Sequence, residues 1–260
     1  MKTTDPEMTA MQLEHHLKQL KLPTMLREYA MVARECAQSN ANYDQFLEAL
    51  CDRELQSRES KAIERRLKQA RFPLPKELAD FDFTAAPKLN KAKILELAKG
   101  DFTSSNTNAI FIGPPGVGKT HLAIALGREL CRRGQRTRFF TASELVNIYT
   151  EARDSRTTQR LESSLRRLDV MIIDELGYLP LDQRGAEHLF AFFSLCYEQC
   201  SLIVTTNLPF AEWPKTFAND ARLTAALIDR LTHRVVIQEM PGDSYRLRSS
   251  LKGAKPDHES

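Results

Sequence analysis

No stretch of the 260-residue sequence approaches the roughly 20 apolar residues of a membrane-spanning helix. The opening residues, MKTTDPEMTA, contain no apolar signal region. Disulfide chemistry has no framework either. The five cysteines, Cys36, Cys51, Cys131, Cys196 and Cys200, are odd in number and scattered, so a reducing, cytoplasmic setting is expected. Cys196 and Cys200 are four apart, but no second ligand pair follows, and the six histidines have no metal spacing. Zinc is therefore not expected, and the two thiols should lie one turn apart on a buried helix face. A strong charge imbalance is also missing. The net charge is only +3, so the distribution of charge, not its sum, must carry any nucleic-acid argument. What is present is ordinary globular material, 42% apolar and 27% charged. It suffices for one large domain or two smaller ones.

Residues 7–72 have few β-branched residues and no strand alternation. Met8, Met11, Leu13, Leu17 and Leu20 recur at helical spacing, Pro23 opens a second helix, and a third is expected from about Asp44 to Phe72. Phe46, Leu47, Leu50, Leu55, Ile63, Leu67 and Ala70 lie on or beside its apolar stripe. Residues 1–72 thus read as a helical domain, and 73–108, rich in proline and aromatics, as a linker leading into a pocket. From Ala109 the pattern changes: AIFIG, RTRFF, VMIID, LIVTT and RVVIQ alternate with amphipathic helices. That alternation predicts an α/β fold, a parallel five-stranded sheet flanked by helices, over residues 109–245. Residues 246–260 read as a polar tail.

The stretch Gly113-Pro114-Pro115-Gly116-Val117-Gly118-Lys119-Thr120, followed by His121, has the P-loop spacing. Glycines let backbone N–H groups cradle phosphate oxygens, Lys119 adds a charge at the β/γ-phosphates, and the Thr120 hydroxyl suits Mg²⁺. The helix that begins there turns its positive end toward the phosphates. Downstream, VMIIDE ends a strand in Asp174, a candidate Mg²⁺ acid, and Glu175, a candidate base for an attacking water. A base for water argues for hydrolysis of ATP. Asn207, after the strand LIVTT, could orient that water or simply form an asparagine turn. Arg230, at a helix end before the last strand, could reach a neighbouring subunit's γ-phosphate. It could equally pair with Asp229 or Glu239.

Together GPPGVGKT, IIDE, TTN and DRL, in this order, resemble the AAA+ ATPases of the initiator and helicase-loader clade. RRLKQARFP and DELGY narrow the resemblance, which also includes DRLTHR and SYRLR, to the IstB-type helper ATPases of bacterial insertion-sequence transposition, whose sister family is the DnaC-type helicase loaders. It covers nearly the whole chain. It implies Lys119 and Thr120 as phosphate and Mg²⁺ contacts, Asp174 as the metal-side acid, Glu175 as base, Asn207 as sensor and Arg230 as a finger acting in trans. About 22 residues after the last strand cannot build the usual helical lid. The lid is expected to be missing or vestigial, with Arg246 the nearest candidate for its sensor arginine.

Two basic sets are candidates for DNA. Arg58, Lys61, Arg65 and Lys68 fall within about an 80° stripe of the third helix. Between Arg53 and Arg71, seven basic residues face three glutamates. Such a face suits phosphate contacts; a solvated helix supported by Glu54–Arg58 and Glu64–Lys68 pairs is the alternative. Arg153, Arg156 and Arg160 form the second set, and the resemblance implies that part of it faces DNA in an assembly. No aromatic residue interleaves these positions, so stacking on single-stranded bases is not suggested. The implied function is an ATP-gated homo-oligomer that assembles on duplex DNA, serves a cognate transposase and lets go on hydrolysis. A replicative helicase loader, and a scaffold whose turnover is incidental, are the alternatives.

Overall fold

Five parallel strands in the order β2-β3-β4-β1-β5 organise the larger part of the chain. The structure, a computed structural model, describes residues 6–245. The chain divides into two compact units, one ending at Arg65 and one beginning at Arg66.

The N-terminal unit holds α1 (Pro6–Gln19), α2 (Pro23–Gln38) and most of α3 (Tyr43–Ala70). Its core is small: Leu17, Met25, Val32 and Leu50 are buried, with Leu22, Leu26, Tyr29 and Phe46 packed around them. Leu47 and Leu55, expected on the apolar stripe, instead lie 57% and 63% exposed. A 28-residue helix has room for more apolar residues than two short neighbours can cover. Asn42 and Gln45 start α3 with a reciprocal cap, each side-chain oxygen accepting the other's backbone N–H at 2.9 Å. The N-cap of α2, Leu22, has no capping side chain. Glu54 of α3 supplies one, its Oε2 accepting from the Thr24 and Met25 amides at 2.8 and 3.1 Å. Burial pushes the Glu54 carboxyl up, but Arg58 and the two amides outweigh it and hold the group below the usual range.

In the larger, C-terminal unit the expected linker contains a helix, α4 (Lys91–Lys99), whose buried Ile94 and Leu97 join the core. Asn90 caps it through Lys93 N–H at 3.1 Å, a stop-and-start signal hidden among the prolines. There follow β1 (Asn108–Ile112), α5 (Lys119–Arg132), β2 (Thr137–Thr141), α6 (Ala142–Asp154), α7 (Thr158–Leu165), β3 (Val170–Leu176) and α8 (Gln183–Cys196). The unit continues with β4 (Ser201–Thr206), α9 (Trp213–Thr216), α10 (Ala221–Thr232) and β5 (Val235–Glu239). Strand alternation splits the core in two. Ala109, Phe111, Val170, Ile172 and Ile203 pack with Leu122, Leu126 and Leu130 of α5 on one face. Ile110, Met171, Ile173, Leu202 and Val204 pack with α6, α8 and α10 on the other, around Phe192, Trp213 and Leu227. The strands run apolar because both faces are covered.

The cysteine pair departs from expectation. The helix α8 ends at Cys196, and Cys200 lies past the following turn, its thiol donating to the Cys196 carbonyl at 3.8 Å. All five cysteines are free thiols.

Candidate nucleotide site

The ends of β1, β4 and β3 are neighbours in the sheet, so the P-loop, Asn207 and the Asp174–Glu175 pair emerge side by side. This is the carboxyl edge of a parallel sheet, where ligands of such folds sit. Gly116 and Gly118 have φ of 83° and 99°, a region that side chains rarely adopt. A Cβ at Gly118 would also meet the Phe81 ring at 2.7 Å, and one at Gly116 the Ser244 hydroxyl at 2.1 Å. Lys119 folds back onto its own loop, its Nζ donating to the Gly113 and Pro114 carbonyls at 2.7 and 2.9 Å. An ammonium held at the phosphate cradle by two neutral acceptors is ready to exchange them for anionic oxygens.

Asp174 is buried at the end of β3. Its Oδ1 accepts from Thr120 Oγ1 at 3.0 Å and from Thr205 Oγ1 at 2.5 Å. Burial pushes its carboxyl above the usual range, against the pull of Thr205, Thr120 and Lys119. A carboxylate so placed, beside a hydroxyl at the phosphate cradle, fits a hard divalent cation carried in with a nucleotide. Thr120 and Asp174 could hold such a cation between them.

Glu175 differs sharply from its neighbour. The register between β3 and β4 shifts between Ile173 and Leu176, a bulge that gives Glu175 a φ of 58°. The side chain is exposed, and its backbone N–H donates to Thr205 Oγ1 at 3.0 Å. Thr205 thus ties both acids together. Left-handed backbone at a non-glycine residue is unfavourable and concentrates at functional sites. Asn207 is half-buried, and its Oδ1 is buried without a hydrogen-bond partner among the described residues. The turn after β4 is closed by Thr206, whose hydroxyl accepts from Leu208 N–H at 3.1 Å, so Asn207 is not needed for it.

A cavity of about 340 Å³ opens beside the loop, lined by Gly116 to His121, by Phe81, Ala85 and Ala86, and by Pro241 and Tyr245. Its size suits a small-molecule ligand, apolar on one side and phosphate-binding on the other. Gly113, Pro114 and Pro115 lie outside this lining. His121 lines it, but its ring engages the preceding segment, with Nε2 3.0 Å from the Glu77 carbonyl and an edge contact to Phe81. The sequence reading missed Glu77. Its carboxylate accepts from Arg128 and Arg132 of α5 at 2.6 and 2.8 Å. Arg132 first, with Arg128, holds the Glu77 carboxyl down at about 2 against the opposing effect of burial. This clamp fixes residues 74–86 as a wall of the cavity.

Arg230 pairs with neither Asp229 nor Glu239. It donates to the Ala226 carbonyl at 2.8 Å and lies over the Phe190 ring, 4.7 Å from its centroid. It precedes β5, while the P-loop follows β1, and these strands are parallel. Arg230 therefore sits at the opposite edge of the sheet from its own phosphate cradle, roughly 15 Å of strand away. Arg246 lies outside the described residues, as does the tail on which the lid expectation rests.

Of the basic candidates, Arg58 is committed to the N-terminal unit, donating to Glu54 Oε1 at 2.8 Å and to the Lys21 carbonyl at 2.5 Å. Lys61, Arg65 and Lys68 are exposed along α3. Arg153, Arg156 and Arg160 are exposed around the turn between α6 and α7. Among the described residues none of these six makes an ion pair. No helix among the described residues is long and apolar enough to cross a membrane.

The sheet order, P-loop and acidic strand end define a P-loop ATPase fold of the AAA+ class. Solved structures agree on that fold. AMPPCP-bound DnaA from Aquifex aeolicus superposes with a TM-score of 0.55 at 20% identity, over 73% of this chain and 58% of that one. DnaI superposes at 0.53 with 17% identity, over 68% and 93%. The chain spans a little over half of the DnaA structure it matches. The family is narrower than the fold. The profile of the IstB-like ATP binding protein family matches residues 15–253, and the chain belongs to that family. A relative from Geobacillus stearothermophilus, named as an ATP-binding protein of insertion sequence IS5376, is 37% identical over 91% of this chain and 94% of its own length. The IS21 counterpart from Pseudomonas aeruginosa is 36% identical over 93% and 91%. The protein is thus an ATP-binding member of an insertion-sequence family.

Proposed function

We propose that this protein is an ATPase that assembles with copies of itself on duplex DNA and aids the transposase of its insertion element, hydrolysis ending the DNA-bound state. One observation carries the hydrolytic part. Beside the cradle, the bulge turns the Glu175 carboxylate outward while Asp174 stays buried, and Asn207 keeps an oxygen unpartnered among the described residues. In this reading the phosphates replace the loop carbonyls at Lys119. Asn207 orients a water and Glu175 takes its proton as the oxygen attacks the γ-phosphorus. The bond to the β–γ bridging oxygen breaks, and ADP and phosphate leave. Mg²⁺, held by Thr120 and Asp174, would neutralise developing charge on the phosphates.

Arg230, turned from its own cradle by the sheet topology, serves a neighbouring subunit. Closure of that joint couples nucleotide to assembly. Lys61, Arg65, Lys68 and the Arg153–Arg160 turn contact DNA phosphates. Relatives named for insertion sequences support this reading over helicase loading, for which the DnaI likeness speaks at the level of fold alone.

Glu175→Gln should bind ATP and hold its assembly on duplex DNA far longer than wild type. Light scattering with ATP, ADP or no nucleotide, each with and without DNA, would follow the assembly. Equal DNA lifetimes for variant and wild type would remove hydrolysis as the release step.

A further inference from the structure

The C-terminal unit has a second cleft of about 450 Å³ that shares no lining residue with the nucleotide cavity. It lies along β2, the edge strand of the sheet. Its floor is apolar: Phe140, Ile148, Leu161, Leu165 and Leu168. Its rim carries four arginines, Arg66, Arg71, Arg136 and Arg138, and no acidic side chain among the described residues lines it. Arg136 is neutralised by Asp169 at 2.6 Å. Among the described residues, the other three make no ion pair.

Arg138 is the least satisfied. One terminal nitrogen donates to the Gln69 carbonyl at 3.1 Å, and the guanidinium lies 5.4 Å from the centre of the Phe140 ring. Its Nε is buried with no partner among the described residues. Burial and the positive Arg71 hold it below the usual guanidinium range, and Glu144 acts weakly the other way. A buried donor without an acceptor is unfavourable unless a partner supplies one.

These features ask for two things at once: carboxylates for the rim and large apolar side chains for the floor. A DNA backbone offers only anionic charge. A purely apolar ligand would leave the guanidiniums uncompensated. We propose that the cleft docks an acidic peptide segment bearing leucine- or phenylalanine-like side chains, presented by the transposase; the partner's identity rests on the function proposed above. The segment's carboxylates meet Arg71 and Arg138, and its apolar side chains enter over Leu161 and Leu165.

The test uses overlapping short peptides spanning the transposase of the same element, and a second set spanning this chain. Their binding to the full-length protein is compared with that to Arg71→Glu and Leu161→Ser. Arg71 is exposed and Leu161 half-buried, and thermal melting checks that both variants fold. Transposase peptides rich in Asp or Glu and Leu or Phe should bind, and each variant should weaken them about tenfold or more, with ATP turnover unchanged. Binding only by basic peptides, or binding indifferent to both variants, would overturn the proposal. So would binding by this chain's own peptides alone, which would make the cleft a joint between copies. Duplex DNA binding that falls with Arg71→Glu but not with Leu161→Ser, in the absence of peptide binding, would make it a nucleic-acid surface. Full-length transposase separates the two levels of argument. If it fails to bind wild type, the partner assignment falls; if it binds wild type and both variants equally, only the cleft falls.

Discussion

The nucleotide-binding unit surrounds its large side chains with a sheet and two layers of helices, whereas the N-terminal unit leaves many of its own in water. Trp213, Phe192 and Phe217 are fully buried in the first. In the second, Met11 is 73% and Tyr43 92% exposed. A parallel sheet offers two faces, and each strand feeds both. Three helices offer only the stripes they turn toward one another. The difference teaches where precision resides. The nucleotide site is set by packed strand ends. The helical unit presents a surface, held by a few deliberate polar contacts such as Glu54.

The sharpest break in this comparison would come from catalysis, which should belong to the nucleotide-binding unit alone. Arg230→Ala should lower ATP turnover by about 10³-fold or more. Mixing it with Lys119→Ala should restore part of the rate, because one mixed joint has both an intact cradle and an intact arginine. No recovery on mixing would return the site to a single subunit. Glu175→Gln should reduce turnover by about 10²- to 10⁴-fold while retaining ATP, as judged by nucleotide titration.

Stability tests the packing contrast. Phe192→Ala should cost about 3–5 kcal/mol in denaturant unfolding. Leu47→Ala, in the N-terminal unit, should stay within about 0.5 kcal/mol. A large cost at Leu47 would mean that the exposed face of α3 is covered in solution.

Acid sharpens the comparison further, because depressed glutamates help to hold both units. Glu77 titrates at about 2 in the folded chain against an ordinary 4.5. Its contribution is complete above 4.5 and is lost as pH falls toward 2, since the unfolded chain takes up the proton first. Glu77→Gln should cost roughly 1–3 kcal/mol at neutral pH and flatten stability across that window. Glu54, also held below its usual range, should act with the same sign in the other unit. The smallest effect belongs to the exposed cations. Lys61→Gln should lower the salt slope of duplex binding by about one without altering basal turnover.

Much of this was legible from the residues. The five strands were located to within one or two residues, because apolar runs bounded by polar ends mark strands buried on both faces. The glycine spacing placed the cradle, and Asp174 lies where an acidic strand end should. Other readings were revised or narrowed. Arg58 was read either as part of a DNA-facing stripe or as the partner of Glu54, and it pairs with Glu54 and the Lys21 carbonyl. The residues 73–108 were read as a linker, though Asn90 starts a helix there. Cys196 and Cys200 were placed on one helix that in fact ends at Cys196. For Arg58 a residue 37 positions away supplied one of the partners, whereas the Asn90 cap and the end of α8 at Cys196 rest on contacts within four residues.

The sequence by itself therefore determined what depends on neighbours along the chain: helix and strand periods, and the glycine spacing of the loop that precedes α5. Only the tertiary structure decided what depends on partners far apart. Glu54 caps a helix 30 residues away, and Glu77 clamps arginines 51 and 55 residues away. The bulge that turns Glu175 outward while Asp174 stays inside exists because β3 must pair with β4. Arg230 faces away from its own cradle because parallel strands put their beginnings and ends at opposite edges of the sheet. No local spacing encodes these separations; the packing of the sheet does.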